Sequence, residues 1–338
     1  MSKVRPKIVD VARAAGVSPA TVSNALTENR HVDAETRERV KAAARRLGYT
    51  PDLRAQRLRT GQANTIAILS SMPFAVAAGP SRLGFLMEVA AVAASVALEN
   101  GLALVLVPPS EFTRVPIESL DINGAIVIEP LQDEPEVARL RARGLTVVAI
   151  GRQLADTHDL PYVDLQSALT ARLMLQHLRA QSARRIALVI GAQRRNSYEE
   201  TEREYRALAK THRMPVRLLR IDETGGEAAG REACRQLLTK HPEVDALCVP
   251  VDAFASGAVQ ASRDLGRRIP DDLKLVTRYD GHRARESTPK LTAVNLHLAD
   301  IAAAAVDLLL AHLKGDANRR SLSGPPPELI PRESSAHT

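Results

Sequence analysis

Cysteine is nearly absent from this 338-residue chain, and its two copies, Cys234 and Cys248, are too few for a disulfide framework or a zinc cluster. The nine histidines are scattered, and the run Asp156-Thr157-His158-Asp159 reads as a solvated loop, so neither a metal nor a cofactor is expected. Signatures of catalysis are missing too. There is no P-loop, no Gly-x-Gly-x-x-Gly after a strand and no Gly-x-Ser-x-Gly elbow in a suitable setting, which argues against an enzyme. No apolar run is long enough to span a membrane; the most apolar region, 72–107, is interrupted by prolines, glycines, Arg82, Glu88 and Glu99. The N-terminus lacks the apolar core of a signal peptide, so a cytoplasmic location with no membrane partner is the expectation. Tryptophan is absent and aromatic residues make up 3% of the chain.

Against these absences stands one dense local pattern. In Ile8–Leu26, Val11, Ala12 and Ala15 fall on one helical face, Gly16 supplies the freedom for a sharp turn, and a second helix follows with Val22, Ala25 and Leu26 inward. Ser18 is placed to cap that helix and Pro19 suits its first position, where no N–H is needed. The outer row, Ala20, Thr21, Ser23 and Asn24, is small enough to approach a groove wall, and Asn24 carries both a donor and an acceptor for a base edge. A third helix is expected from the N-cap Asp33 to Gly48, with Val40, Ala43, Ala44 and Leu47 inward. Charge follows the same division. Residues 1–59 hold 13 Lys and Arg against 6 Asp and Glu, whereas the remainder balances at 33 against 33, so the whole net charge of +7 sits where phosphate neutralisation needs it.

Beyond Gly61-Gln62-Ala63-Asn64 the pattern changes to short apolar strands alternating with helices. Strands are expected at 65–70, 103–107, 124–128 and 146–150, then near 185–190, 216–220, 246–250 and 273–277, with intervening helices, as in parallel sheets covered on both faces. Ser321–Pro327 reads as a linker before a last short strand at 328–332, and residues 333–338 as a disordered polar tail.

The run Val9–Leu26, with Val32, Thr36-Arg37, Leu47–Pro51 and Ala55–Leu58, resembles the N-terminal domain of the lactose-repressor/galactose-repressor family of bacterial transcription regulators. The rest resembles that family's periplasmic-binding-protein-like effector domain, made of two doubly wound parallel-sheet lobes. The resemblance implies an all-α helix-turn-helix domain at 1–50, a hinge helix and linker at 51–63, and an effector-binding and dimerisation domain at 64–332. Its lobes would be about 64–163 plus 296–320 and about 164–295 plus 321–332. It also implies that Ser18, Ala20, Thr21, Ser23, Asn24, His31, Ala55 and Arg57 face DNA, and that Leu58 wedges into the minor groove of a kinked operator.

For the effector domain, Val251–Ala258 and Leu275–Asp280 match family segments at strand ends, where open α/β sheets place ligands. The candidate effector residues are therefore Phe74, Arg152, Asp164, Asp252, Arg278, Tyr279 and Asp280, with Phe254 a further apolar wall. This chain also departs from the family. Thr201 stands where arginine is frequent, Glu204 and Arg278 where glycine is usual, and Gly281 where a second acidic residue is common. Few rings are left to stack a pyranose, and Arg152 with Arg278 suggests a carboxylate or phosphate ligand. The resulting expectation is a sequence-specific repressor binding a palindromic double-stranded DNA operator as a homodimer under control of a small-molecule effector. The alternative is a ligand-binding protein of periplasmic-binding-protein type without DNA-dependent function.

Overall fold

The computed structural model describes residues 6–27, 32–49, 63–77, 84–108, 117–154, 160–316 and 318–336. The chain divides into two units, Met1–Ala63 and Asn64–Thr338.

The first unit holds α1 (Ile8–Ala15), α2 (Pro19–Thr27) and α3 (Ala34–Leu47). Each boundary has a local cause. The Asp10 carboxylate accepts from the Lys7 N–H at 2.9 Å at the start of α1, and Gly16 ends that helix at φ 64°, a left-handed conformation costly for residues with a Cβ. Ser18 Oγ accepts the Thr21 N–H at 3.1 Å, and Asp33 Oδ1 accepts the Thr36 N–H at 2.8 Å. Val11, Ala12, Ala15, Val22, Ala25, Val40, Ala43 and Ala44 form a core of small side chains that lets three short helices pack closely. Leu47 departs from the sequence expectation. It is 37% exposed, because Gly48 ends α3 at that point and Tyr49 packs against the core instead.

The second unit opens with β1 (Thr65–Ser70), α4 (Phe74–Ala77), α5 (Phe85–Glu99), β2 (Ala103–Leu106), β3 (Gly124–Ile128), α6 (Pro135–Ala142), β4 (Thr146–Ile150) and β5 (Tyr162–Asp164). A second lobe follows with α7 (Ser167–Ala180), β6 (Ile186–Gly191), α8 (Asn196–Thr211), β7 (Leu218–Ile221), α9 (Gly226–Lys240), β8 (Ala246–Cys248), α10 (Asp252–Asp264), β9 (Lys274–Val276), α11 (His282–Glu286) and β10 (Ala293–Asn295). The chain ends with α12 (Leu298–Leu313), β11 (Ser321–Ser323) and β12 (Glu328–Ile330).

The first sheet runs β11-β5-β4-β3-β1-β2 and the second β7-β6-β8-β9, both parallel, with β10 and β12 as an antiparallel pair. In the first sheet Ile66, Ile68, Ile126, Ile128, Val148 and Ile150 face one hydrophobic layer. Ala67, Leu69, Ala125, Val127, Val147 and Ala149 face the other, which is the period-2 alternation of a sheet covered on both sides. α12 returns to the first lobe and packs on α5, β3 and β4.

Three segments pass between the lobes, and Gln166 ties two of them. Its Nε2 donates to the Gly324 carbonyl at 3.1 Å and the Pro325 carbonyl at 3.0 Å. At the third crossing Asn295 Oδ1 accepts the His297 N–H at 3.0 Å. Two sequence expectations are corrected here. Residues 321–323 are not a linker and do not join the second lobe: β11 pairs in parallel with β5, so the chain crosses back only after Ser323. The segment 333–336 is not a loose tail either. Ser334 and Ser335 are fully buried; Ser334 Oγ donates to the Leu275 carbonyl at 2.6 Å and accepts the Thr292 N–H at 2.8 Å, while Ser335 Oγ lies 2.7 Å from His177 Nε2.

Candidate functional site

The outer face of the first unit lies on α2. Ser18 and Ala20 are exposed, and Thr21, Ser23 and Asn24 are half-buried at its rim. The cap spends Ser18 Oγ on the Thr21 N–H and hydroxyl, the latter at 2.9 Å, which fixes the first turn of the helix. Asn24 is thereby carried on a braced element. His31, Ala55, Arg57 and Leu58 lie outside the described residues.

In the second unit, strand ends of both sheets converge on a cavity of about 50 Å³ between the lobes. Its polar lining comprises Ser70 and Glu129 from the first lobe and Tyr198, Asp252, Arg278 and Tyr279 from the second. These groups belong to a network that crosses the cleft. Arg278 Nη2 donates to Glu129 Oε1 at 2.8 Å, and Ser197 Oγ donates to Glu129 Oε2. Arg195, fully buried, donates to the Glu129 carbonyl and, at 3.1 Å, to Ser71 Oγ, and it faces the Glu223 carboxylate at 3.4 Å. The Tyr198 hydroxyl donates to Glu223 at 2.6 Å. Gly191 makes this assembly possible, since a Cβ there would stand 2.5 Å from Glu223 Oε1 and 2.6 Å from the Tyr198 ring. Arg283 pairs with Asp252 at 3.0 Å and reaches the Ala75 and Val76 carbonyls at 3.3 and 3.4 Å, while the Tyr279 hydroxyl donates to Glu88.

Burial sets the protonation of this layer. It pushes the Tyr198 phenol well above its ordinary range, helped by the Glu223 charge, and raises Tyr279, which Glu88 reinforces. Burial likewise raises the Asp252 carboxyl, with Arg283 opposing it. Cys234 and Cys248 are pushed up to about 12 by burial and are thus unreactive thiols.

Of the effector residues read from sequence, Asp252, Arg278 and Tyr279 line the cavity; the other four do not. Asp164 caps a lobe crossing by accepting the Gln166 N–H at 2.8 Å. Asp280 is paired with Arg332 at 2.6 Å and Arg285 at 3.3 Å; burial pushes its carboxyl up, but those two guanidinium groups more than offset this and hold it below the ordinary value. Arg152 is exposed, and Phe74 sits on α4, outside the lining. Phe254 is fully buried, with its backbone against Gly230 of α9. The expected anion clamp of Arg152 with Arg278 is therefore corrected: one guanidinium faces solvent and the other is held by Glu129.

Glu129, Arg195, Ser197, Tyr198 and Glu223 escaped the sequence reading, although Glu129 directly follows β3 and Arg195 and Glu223 lie close after β6 and β7. Charged residues beyond the carboxyl ends of apolar parallel strands were the available signal. Among the described residues no group of His, Cys, Asp and Glu is placed to hold a metal, and no helix is long and apolar enough to cross a membrane.

A helix-turn-helix unit in a basic segment, joined to two doubly wound lobes closing on a cleft, defines a DNA-binding regulator with a periplasmic-binding-protein-like domain. Residues 7–52 match the bacterial regulatory proteins of the lacI family, and residues 175–335 match the periplasmic binding protein-like domain. The HTH-type transcriptional regulator CelR of Thermobifida fusca is 30% identical over 301 residues, spanning 86% of this chain and 87% of its own. A solved CelR–cellobiose complex is 26% identical with a TM-score of 0.70, over 98% of this chain and 100% of the other. The lac repressor dimer, solved with operator and the anti-inducer ONPF, shares the fold at 24% identity and a TM-score of 0.76, over 99% of this chain and 100% of the other. The chain belongs to the lacI family and is a transcriptional regulator.

Proposed function

We propose that this regulator is a cytoplasmic repressor that binds a palindromic operator as a homodimer and answers to a small molecule held in the interlobe cleft, with no enzymatic activity. The observation that carries the reading is the α2 face of Ala20, Thr21, Ser23 and Asn24 standing in the segment that holds all the excess positive charge. Phosphate contacts supply affinity while base contacts supply sequence preference, and this segment has residues for both. Two subunits related by a twofold axis then require half-sites about one helical turn apart. On the outer face of α5, Ala91, Ser95 and Leu98 are exposed, Leu98 at 68%, between the exposed Glu88 and Glu99, and this is the face proposed to receive a second copy. The relatives support the same scheme, one solved as a dimer on its operator and another with cellobiose.

Ligand binding acts here by changing the angle between lobes joined through three crossings, and so the separation of the two 51–63 segments, in which Leu58 is the proposed minor-groove wedge. Coupling of about 1–3 kcal/mol suffices for such control. Asn24→Ala is expected to lose about 1–3 kcal/mol of discrimination at one base-pair position in each half-site while the salt dependence of binding stays close to wild type. Titration against single-position operator variants measures this. An equal loss on every sequence contradicts a base-reading role for Asn24.

A further inference from the structure

We infer that the interlobe cleft takes a small, largely apolar and uncharged ligand offering one oxygen acceptor to Arg278, rather than an anion or a polyhydroxylated sugar. The inference rests on the effector reading of the cleft and adds its chemistry.

Most of the cavity wall is hydrocarbon: Met72, Val76, Phe85, Leu86, Ile128 and Leu296. Phe85 meets the Tyr279 ring edge-on at a centroid distance of 5.5 Å, which adds an aromatic corner. The hydroxyls among the lining groups are already committed as donors. Ser70 gives its proton to the Ile128 carbonyl at 3.1 Å, Tyr198 to Glu223 at 2.6 Å and Tyr279 to Glu88. A pyranose entering this space brings several hydroxyl oxygens that need donors, and each one left unpaired in a buried site costs binding.

Charge is balanced in the same way. The Arg278 cation has Glu129 at 2.8 Å, and the Asp252 anion has Arg283 at 3.0 Å. An added carboxylate or phosphate would face Glu129 and Asp252 without a free guanidinium to receive it. An added ammonium would face Arg278 with both lining carboxylates already paired. Only a neutral ligand leaves the two pairs intact.

Arg278 keeps a donor open. It is 7% exposed, and its Nε has no hydrogen-bond partner among the described residues, although its Nη2 holds Glu129. A buried N–H of a cation without an acceptor is a strong call for one. A carbonyl or ether oxygen at the end of an apolar body answers that call while burying its remaining surface against the hydrocarbon wall.

Benzamide, benzoate, benzylamine, glucose and cellobiose separate the classes, because the first three share one ring and differ in charge. Calorimetric titration of the full chain is expected to show benzamide binding at least about tenfold more tightly than the other four probes. Arg278→Lys keeps a cation for Glu129 but removes the planar fork, and it should weaken benzamide by about 10- to 100-fold. Should that variant fail to fold, Val76→Phe, which fills the cavity without touching a charge, should abolish benzamide binding. Equal or tighter binding of benzoate, benzylamine or either sugar overturns the inference. So does the absence of benzamide binding, or benzamide affinity indifferent to both variants. DNA binding by the same preparation keeps the two failures apart: intact sequence-specific binding with the wrong ligand preference faults the ligand class alone, whereas no sequence-specific binding faults the regulator reading.

Discussion

Arg195→Met is expected to destabilise the two-lobed domain by about 3–5 kcal/mol, the range for removing one partner of a buried ion pair. Arg195 is fully buried, with a relative exposure of 0%, and its partner Glu223 is 1% exposed. With the guanidinium gone, the Glu223 carboxylate keeps, among the described residues, the Tyr198 hydroxyl alone, and the Glu129 carbonyl and Ser71 hydroxyl lose a donor that reached them from the other lobe. Methionine fills much of the volume, so the loss reports the charge and its hydrogen bonds more than a cavity. Urea denaturation of the variant measures it, and for a domain of this size the melting point should fall by roughly 10 °C. Adding Glu223→Gln should recover part of the loss, because the stranded charge is removed with its partner. A cost below about 1 kcal/mol would mean that the network does not hold the lobes.

Val22→Asp should remove sequence-specific DNA binding altogether while leaving the melting of residues 64–338 unchanged. Val22 is completely buried in a core whose other members, apart from Val11 and Val40, are alanines. Among these side chains no hydrogen-bonding group is on hand for a carboxylate. An unpaired buried charge costs several kcal/mol, comparable with the whole stability of so small a unit. The expected result is a loss of at least about 100-fold in affinity for a specific site with the second unit's cooperative transition retained. Circular dichroism melts beside anisotropy titrations give both readings. Retained specific binding would place DNA recognition outside the α1–α3 unit.

The parts of the fold legible in the sequence were those whose burial is written in consecutive residues. Thr65–Ser70, Gly124–Ile128 and Ile186–Gly191 are buried along their whole length. Each therefore reads as an uninterrupted apolar run. Ser321–Ser323 has only Leu322 half-buried between two exposed serines, and its place depends on β5, more than 150 residues earlier. No local pattern announces such an edge strand. Ser334 and Ser335 looked like tail because their composition is polar; what buries them is a set of partners at Leu275, Thr292 and His177.

The cleft divides along similar lines. Asp252, Arg278 and Tyr279 are visible as charged or aromatic residues two to four positions after apolar strands. Asp164 and Asp280 stand at equivalent strand ends, but the first is taken by a backbone N–H two residues on and the second by Arg332 from the C-terminal segment. Whether a strand-end carboxylate meets a ligand or a neighbour is decided by what distant chain brings to it. The Arg278–Glu129 pair joins residues 149 positions apart, and its existence turns the arginine from an anion receptor into a balanced charge whose Nε–H has no partner among the described residues.

Selection of bound sequences from a random DNA pool, run with the full chain and with a chain beginning at residue 64, decides whether residues 1–63 read a DNA sequence. The full chain is expected to enrich a palindrome with a fixed centre and the shortened chain to enrich nothing. Enrichment of no sequence by the full chain, with and without small-molecule probes, or of the same sequence without residues 1–63, would contradict that expectation.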